Sequence, residues 1–84
     1  MNTKFTTYVI ESSSERKYIG QTDDLEKRLA EHNSGKSVWT KRFSDWRVVY
    51  KKEFDSRKEA RKWENYLKSQ KGGNGLKKII QRAS

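Results

Sequence analysis

The sequence predicts an α+β domain within the broad α/β class: a small three-stranded antiparallel sheet flanked by helices, in the order β-β-α-β-α-α. Three observations carry this. Two short runs rich in Thr, Tyr, Val and Ile are joined by a polar stretch too short for a crossover, which specifies an antiparallel hairpin. Two later stretches combine helix caps with helical apolar spacing. The 84 residues contain no repeat, no low-complexity tract and no linker, so one domain spanning 1–84 is expected.

Taken in order, "KFTTYVI" reads as the first strand, "ESSSER" as a turn and "KYIG" as the second strand. A loop centred on Ser13 would place Tyr8 opposite Tyr18, with both hydroxyls on one face of the sheet. "DDLEKRLAEHN" reads as a helix capped by Asp23 with Glu26 as reciprocal partner, and Asn33 and Gly35 are its stop signals. Leu25 and Leu29 form its apolar stripe, and Arg28 and His32 lie together on the surface beside it. "SGKSVWTKRFSDW" reads as a basic loop with interleaved aromatics, followed by a third strand, "WRVVYKKEF". "SRKEARKWENYLKS" opens on a capping box, Ser56 and Glu59, and its apolar positions are Ala60, Trp63 and Leu67, with Tyr66 adjoining. The glycines of "QKGGNG" are expected to end it, and "LKKIIQRA" forms a terminal helix that lays Leu76, Ile79 and Ile80 on the core.

Composition narrows the function. Only 31% of residues are hydrophobic and 37% are charged, a balance that leans towards disorder. Three Trp, four Tyr and three Phe, clustered along the chain, supply a compact core instead. A net charge of +9 on so small a body favours a phosphate polymer as partner, with an anionic membrane surface second. The absence of cysteine excludes disulfides and cysteine-ligated metal sites. No apolar run is long enough for a membrane helix, and the N-terminus lacks the pattern of a secretory signal, so a cytoplasmic protein is expected.

Three sets of residues stand out as carriers of chemistry. Glu64 lies between Ala60 and Leu67 on the helix wheel, where a carboxylate is costly unless it is paired with a cation or holds a metal. A rim ion pair with one of the 20 basic residues is the simpler account of its position alone. Arg28 offers a planar fork of donors to phosphate oxygens, and His32, the single histidine, can donate to phosphate or move a proton. Tyr8 and Tyr18 pair across the hairpin, which on its own only stabilises a sheet. A tyrosine becomes a base when nearby positive charge lowers its pKa, and Arg28 is placed to supply that charge.

In order and spacing, "TTY" at 6–8, "YIG" at 18–20, "DLEKRLAEHNSGK" at 24–36 and "SRKEARKWENYLKS" at 56–69 resemble the successive motifs of the GIY-YIG endonuclease superfamily. The likeness is to its small stand-alone bacterial members, related to the excision-repair incision nuclease module and to homing endonuclease catalytic domains. The resemblance places the two motif tyrosines on Tyr8 and Tyr18, the catalytic arginine on Arg28, the helix histidine on His32 and the metal-binding glutamate on Glu64. Thr6 and Thr7 replace the first motif's Gly and Ile, and Gln21 stands where some members have a lysine. Asn74 is a candidate for a late asparagine near the site, although "GGNG" fits a turn as well.

The resemblance implies hydrolysis of a phosphodiester, foremost in DNA, with Mg²⁺ or Mn²⁺ held by Glu64. Arg28 would neutralise charge on the phosphate, Tyr8 is favoured as the base with Tyr18 positioning, and His32 would bond the phosphate or the Tyr8 hydroxyl. Lys36, Trp39, Lys41 and Arg42, with Phe43 beside them, and Lys77, Lys78 and Arg82 further on, are the expected nucleic-acid contacts. Sequence specificity is expected to be weak. RNA or branched DNA as substrate, a protein partner and a homodimer all stay open. A binding module of the same fold that has lost turnover, or that needs a partner, is the alternative.

Overall fold

The computed structural model describes residues 4–35, 45–70 and 75–83. The elements are β1 (Phe5–Glu11), β2 (Lys17–Thr22), α1 (Leu25–Asn33), β3 (Arg47–Phe54), α2 (Arg57–Ser69) and α3 (Gly75–Ala83), in the expected order β-β-α-β-α-α. The strands form one antiparallel sheet in the order β2-β1-β3. Central β1 is buried on both faces, which is why "TTYVI" reads as a continuous buried run without polar alternation.

The two faces carry separate clusters. Val9 and Ile19 pack with Leu67 of α2 and Leu76 of α3, joined by Tyr50, Trp63, Ile79 and Ile80. Tyr8, Ile10 and Trp46 pack on the other face with Tyr18, Leu25, Leu29 and Val48, so α1 covers that side. Full burial of a side chain such as Leu67 stabilises by roughly 1.5–3 kcal/mol. Tyr66, adjoining the apolar stripe of α2, is exposed and stacks on Trp63 with ring centroids 4.9 Å apart. A register shift between Val9 and Ile10 makes Val9 pair with Tyr50 and Ile10 with Val48, leaving Val49 as the extra residue of a bulge.

The hairpin register differs from the expected one by two residues: Tyr18 lies opposite Ile10, and Gly20 lies opposite Tyr8. Glu11 extends the strand and accepts Lys17 Nζ and Arg47 Nη2, each at 3.1 Å, from the two flanking strands. The turn then begins at Ser12, whose carbonyl accepts Glu15 N–H at 3.0 Å, and Glu15 adopts a left-handed φ of 63°. A shift of two preserves the face, so Tyr8 and Tyr18 stay on the same side and meet diagonally.

Helix α1 is capped by Asp24 rather than Asp23: its carboxylate accepts Lys27 N–H at 3.1 Å. The cap moves because β2 runs on to Thr22, whose hydroxyl accepts Asp24 N–H at 3.1 Å and turns the chain there. Gly35, at φ +82°, closes the helix as expected, donating to the His32 carbonyl at 3.3 Å. Asn33 ties the C-terminus of α1 to β3, accepting Trp46 N–H at 2.6 Å and donating to the Trp46 carbonyl at 3.1 Å. Ser56 caps α2 as the capping box predicts, accepting Glu59 N–H at 3.2 Å. The helix ends on Gln70, before the glycines, which apart from Gly75 lie outside the described residues.

Candidate active site

Tyr8, Tyr18, Gly20, Gln21, Arg28, Arg61, Glu64, Asn65 and Lys68 line one open cleft of about 340 Å³. It lies along the β2 edge of the sheet, where α1 and α2 approach from opposite faces. Four of the five residues expected to carry chemistry therefore meet there. The fifth, His32, sits behind Tyr8.

Strand geometry and one missing side chain set the tyrosine pair. Tyr8 and Tyr18 project from the same face, with ring centroids 6.4 Å apart. Between them is Gly20. A Cβ there would lie 2.7 Å from the Tyr8 hydroxyl, 2.9 Å from Tyr8 Cζ and 3.1 Å from Tyr18 Cε1. Its lack of a side chain lets the Tyr8 ring lean across β2 to the cleft.

His32 departs from expectation. It is fully buried, not on the helix surface, and it is the one buried residue of α1. Its Nε2 is 3.0 Å from the Tyr8 hydroxyl, and its ring centroid is 4.8 Å from that of Tyr18. Of the two partners offered by the sequence, phosphate or Tyr8, the geometry selects Tyr8.

Burial also governs the titration of this group. It pushes the Tyr8 hydroxyl up to about 12, and the Arg28 guanidinium beside it opposes that rise only in part. Burial and then the positive charge of Arg28 push His32 below its ordinary value, so its imidazole is neutral at pH 7. Arg28 is held above its ordinary value, first by its hydrogen bond to Tyr8. The Tyr8 hydroxyl and the neutral His32 Nε2 share one hydrogen bond, whose direction follows the imidazole tautomer.

The opposite wall is one stripe of α2. The Glu64 side chain is 15% exposed, and its Oε2 accepts Lys68 Nζ at 2.7 Å. The rim ion pair that sequence reasoning held as an alternative is thus present. Arg61, Asn65 and Lys68 line this wall although the sequence motifs do not single them out. Helical spacing could have found them, since Arg61 lies three residues before Glu64 and Lys68 four after it. Gln21 is engaged by Arg57, whose Nη1 donates to Oε1 at 3.1 Å.

Among the described residues, no group of three His, Cys, Asp or Glu side chains is placed to hold a metal ion. Glu64 is the one carboxylate among the cleft-lining residues described. This donor set does not make a closed cage. It does fit a hard cation bound by one carboxylate together with waters and substrate phosphate oxygens.

The expected nucleic-acid contacts divide. Lys77, Lys78 and Arg82 are exposed on α3, and none of them lines the cleft. Lys36, Trp39, Lys41 and Arg42, together with Phe43 and Asn74, lie outside the described residues. Among the described residues no helix is long and apolar enough to cross a membrane.

Comparison with known proteins agrees with the motifs. The family model described as the GIY-YIG catalytic domain matches residues 4–77. A UPF0213 protein of Lactococcus lactis subsp. cremoris (strain SK11) is 42% identical over 69 residues, which is 81% of this chain and 69% of that protein. The UPF0213 protein HQ_3675A of Haloquadratum walsbyi is 36% identical over 70 residues, covering 82% and 79% of the two chains. The solution NMR structure of the UPF0213 protein BH0048 from Bacillus halodurans aligns at 31% identity with a TM-score of 0.49, over 79% of this chain and 71% of that one. With the family model spanning nearly all of its length and the motif residues gathered in one cleft, this chain belongs to the GIY-YIG catalytic domain family.

Proposed function

We propose that this chain is a divalent-metal-dependent endonuclease that hydrolyses phosphodiester bonds in DNA, nicking with structure-guided or weak sequence selectivity. Family membership supports a nuclease-type function. The observation that carries the finer reading is the convergence of Tyr8, Tyr18, Arg28 and Glu64 on one cleft, with His32 bonded to Tyr8 behind it.

Each residue has a role its environment suits. Arg28 would neutralise the charge that builds on the phosphate oxygens during attack. Glu64 would hold Mg²⁺ or Mn²⁺, which when bound supplies Lewis-acid stabilisation of the phosphate and the leaving oxygen. A free tyrosinate at Tyr8 is disfavoured by burial, so the proton path runs through the pair. An attacking water passes its proton to the Tyr8 oxygen as Tyr8 passes its own to His32 Nε2. Tyr18 holds the water or phosphate in line from the same face.

The test is conversion of supercoiled plasmid and branched DNA to nicked products with Mg²⁺ or Mn²⁺, with RNA run in parallel. Glu64→Ala and Arg28→Ala are each expected to lower the rate on the order of 10²- to 10³-fold. Full activity in either overturns the assignment. The Glu64–Lys68 ion pair and the elevated Tyr8 hydroxyl favour one second reading, a binding module of the same fold that lacks turnover or needs a partner. DNA binding without metal-dependent cleavage would identify it.

A further inference from the structure

Lys68 touches the carboxylate that the proposed reaction needs. Its Nζ lies 2.7 Å from Glu64 Oε2, on the carboxylate proposed to hold the metal. The pair has the favourable helix orientation, glutamate one turn before lysine, so it forms without cost to α2. The Lys68 side chain is 53% exposed against 15% for Glu64, so the lysine is the less enclosed partner of the two. Arg28, Arg61 and Lys68 line the cleft against the single carboxylate of Glu64, and such a cleft repels a free dication.

We infer that Lys68 is a resident counter-cation: it occupies Glu64 in the nucleic-acid-free protein and moves onto phosphate when a strand enters, so divalent metal loads together with nucleic acid. This rests on the proposed nuclease reading and deepens it. A phosphodiester strand changes both sides of the balance. Its oxygens offer the ammonium an alternative acceptor, which draws Lys68 off the carboxylate. The same oxygens complete the coordination of a hard cation that one carboxylate holds poorly. Lys68 is in this sense a positioning residue, acting on the reaction through Glu64.

Mn²⁺ titration followed by electron paramagnetic resonance, without nucleic acid, tests it on wild type, Lys68→Gln, Lys68→Arg, Glu64→Gln and the double variant Glu64→Gln/Lys68→Gln. Removing one positive charge beside the site is expected to tighten Mn²⁺ binding roughly three- to tenfold in Lys68→Gln. Lys68→Arg, which keeps the charge, is expected to bind as wild type does, and the double variant is expected to lose the gain. With a short DNA oligonucleotide added, Mn²⁺ affinity should rise more in wild type than in Lys68→Gln, because the coupling runs through the lysine.

Unchanged or weaker Mn²⁺ binding in Lys68→Gln overturns the inference. So does equal tightening in Lys68→Arg, or an equal gain from DNA in both proteins. If Glu64→Gln abolishes Mn²⁺ binding while Lys68→Gln changes nothing, only the role of Lys68 falls. If Mn²⁺ binding is indifferent to Glu64, the metal position in the proposed function falls with it. Circular dichroism of each variant confirms the fold.

Discussion

On the wall of the cleft built by β1, β2 and α1, Tyr8 and His32 are 1% and 0% exposed and bonded to each other. On the α2 wall, the Glu64 and Lys68 side chains are 15% and 53% exposed and joined by an ion pair. In the first wall the Tyr8–His32 pair is packed before any ligand arrives, behind the partly exposed Tyr18 and Arg28, so its chemistry is tuned by burial. The second meets water, so its charge balance can be rewritten by whatever enters the cleft. A phosphodiester site needs both: a fixed frame for proton transfer and an adjustable set of charges for a polyanion and its counter-ions.

The contrast is broken most strongly at His32. Its replacement by Ala removes a fully buried side chain and the partner of the Tyr8 hydroxyl. Cavity and orphaned donor together are expected to cost about 2–4 kcal/mol. A domain of this size has total stability on the order of 4–12 kcal/mol, so urea denaturation should show a markedly lower midpoint. A midpoint at the wild-type value would mean that this wall is not the rigid one.

Gly20→Ala attacks the same wall by overpacking. The new methyl meets Tyr8 Cζ and hydroxyl oxygen on one side and Tyr18 on the other. Tyr8 is buried and bonded, so it has little freedom to yield. The expected loss is about 1–3 kcal/mol, with a fall in nicking rate as Tyr8 is displaced. Measuring both in one variant sharpens the comparison, because an unstable but fully active protein would uncouple the frame from the chemistry.

Alkaline pH probes the pair without mutation. The hydroxyl of Tyr8 is pushed up to about 12 in the folded protein against an ordinary value of 10.0, so the unfolded chain releases its proton first. The stability that this contributes is complete below about pH 10 and is lost as pH rises towards 12, about 1.4 kcal/mol of it by pH 11. His32, held below its ordinary value, has the opposite sense: its contribution is present above about pH 6.5 and is lost as pH falls. Urea midpoints between pH 9 and pH 11 should therefore drop more for wild type than for Tyr8→Phe. Equal drops would show that Tyr8 is not titrating from a buried position.

How much of this was legible in the sequence follows the same division. Strand composition, helix caps and helical spacing are local signals, and with the motif resemblance they led to Tyr8, Tyr18, Arg28 and Glu64 and to the order of elements. The hairpin register was not local. It depends on Glu11 meeting Lys17 and Arg47 from two other segments, and that moved the partner of Tyr8 from Tyr18 to Gly20. The burial of His32 was hidden for a similar reason: the end of α1 is bound to the start of β3 through Asn33 and Trp46, a contact between segments 13 residues apart. Lys68, by contrast, was readable from helical spacing alone, and its meaning came only with the 2.7 Å contact to Glu64.

The smallest effect is expected on the α2 wall, and it is the one that separates the two walls most cleanly. Lys68→Gln removes an ion pair between neighbouring turns of one helix, with one partner more than half exposed. Such pairs contribute about 0.3–0.5 kcal/mol, and salt screens them further. The urea midpoint should stay within error of wild type at 0.15 M salt, and the residual difference should shrink as salt is raised. A loss as large as that for Gly20→Ala would mean that Glu64 is as tightly built in as His32, and that its carboxylate is not free to change partners when a phosphate arrives.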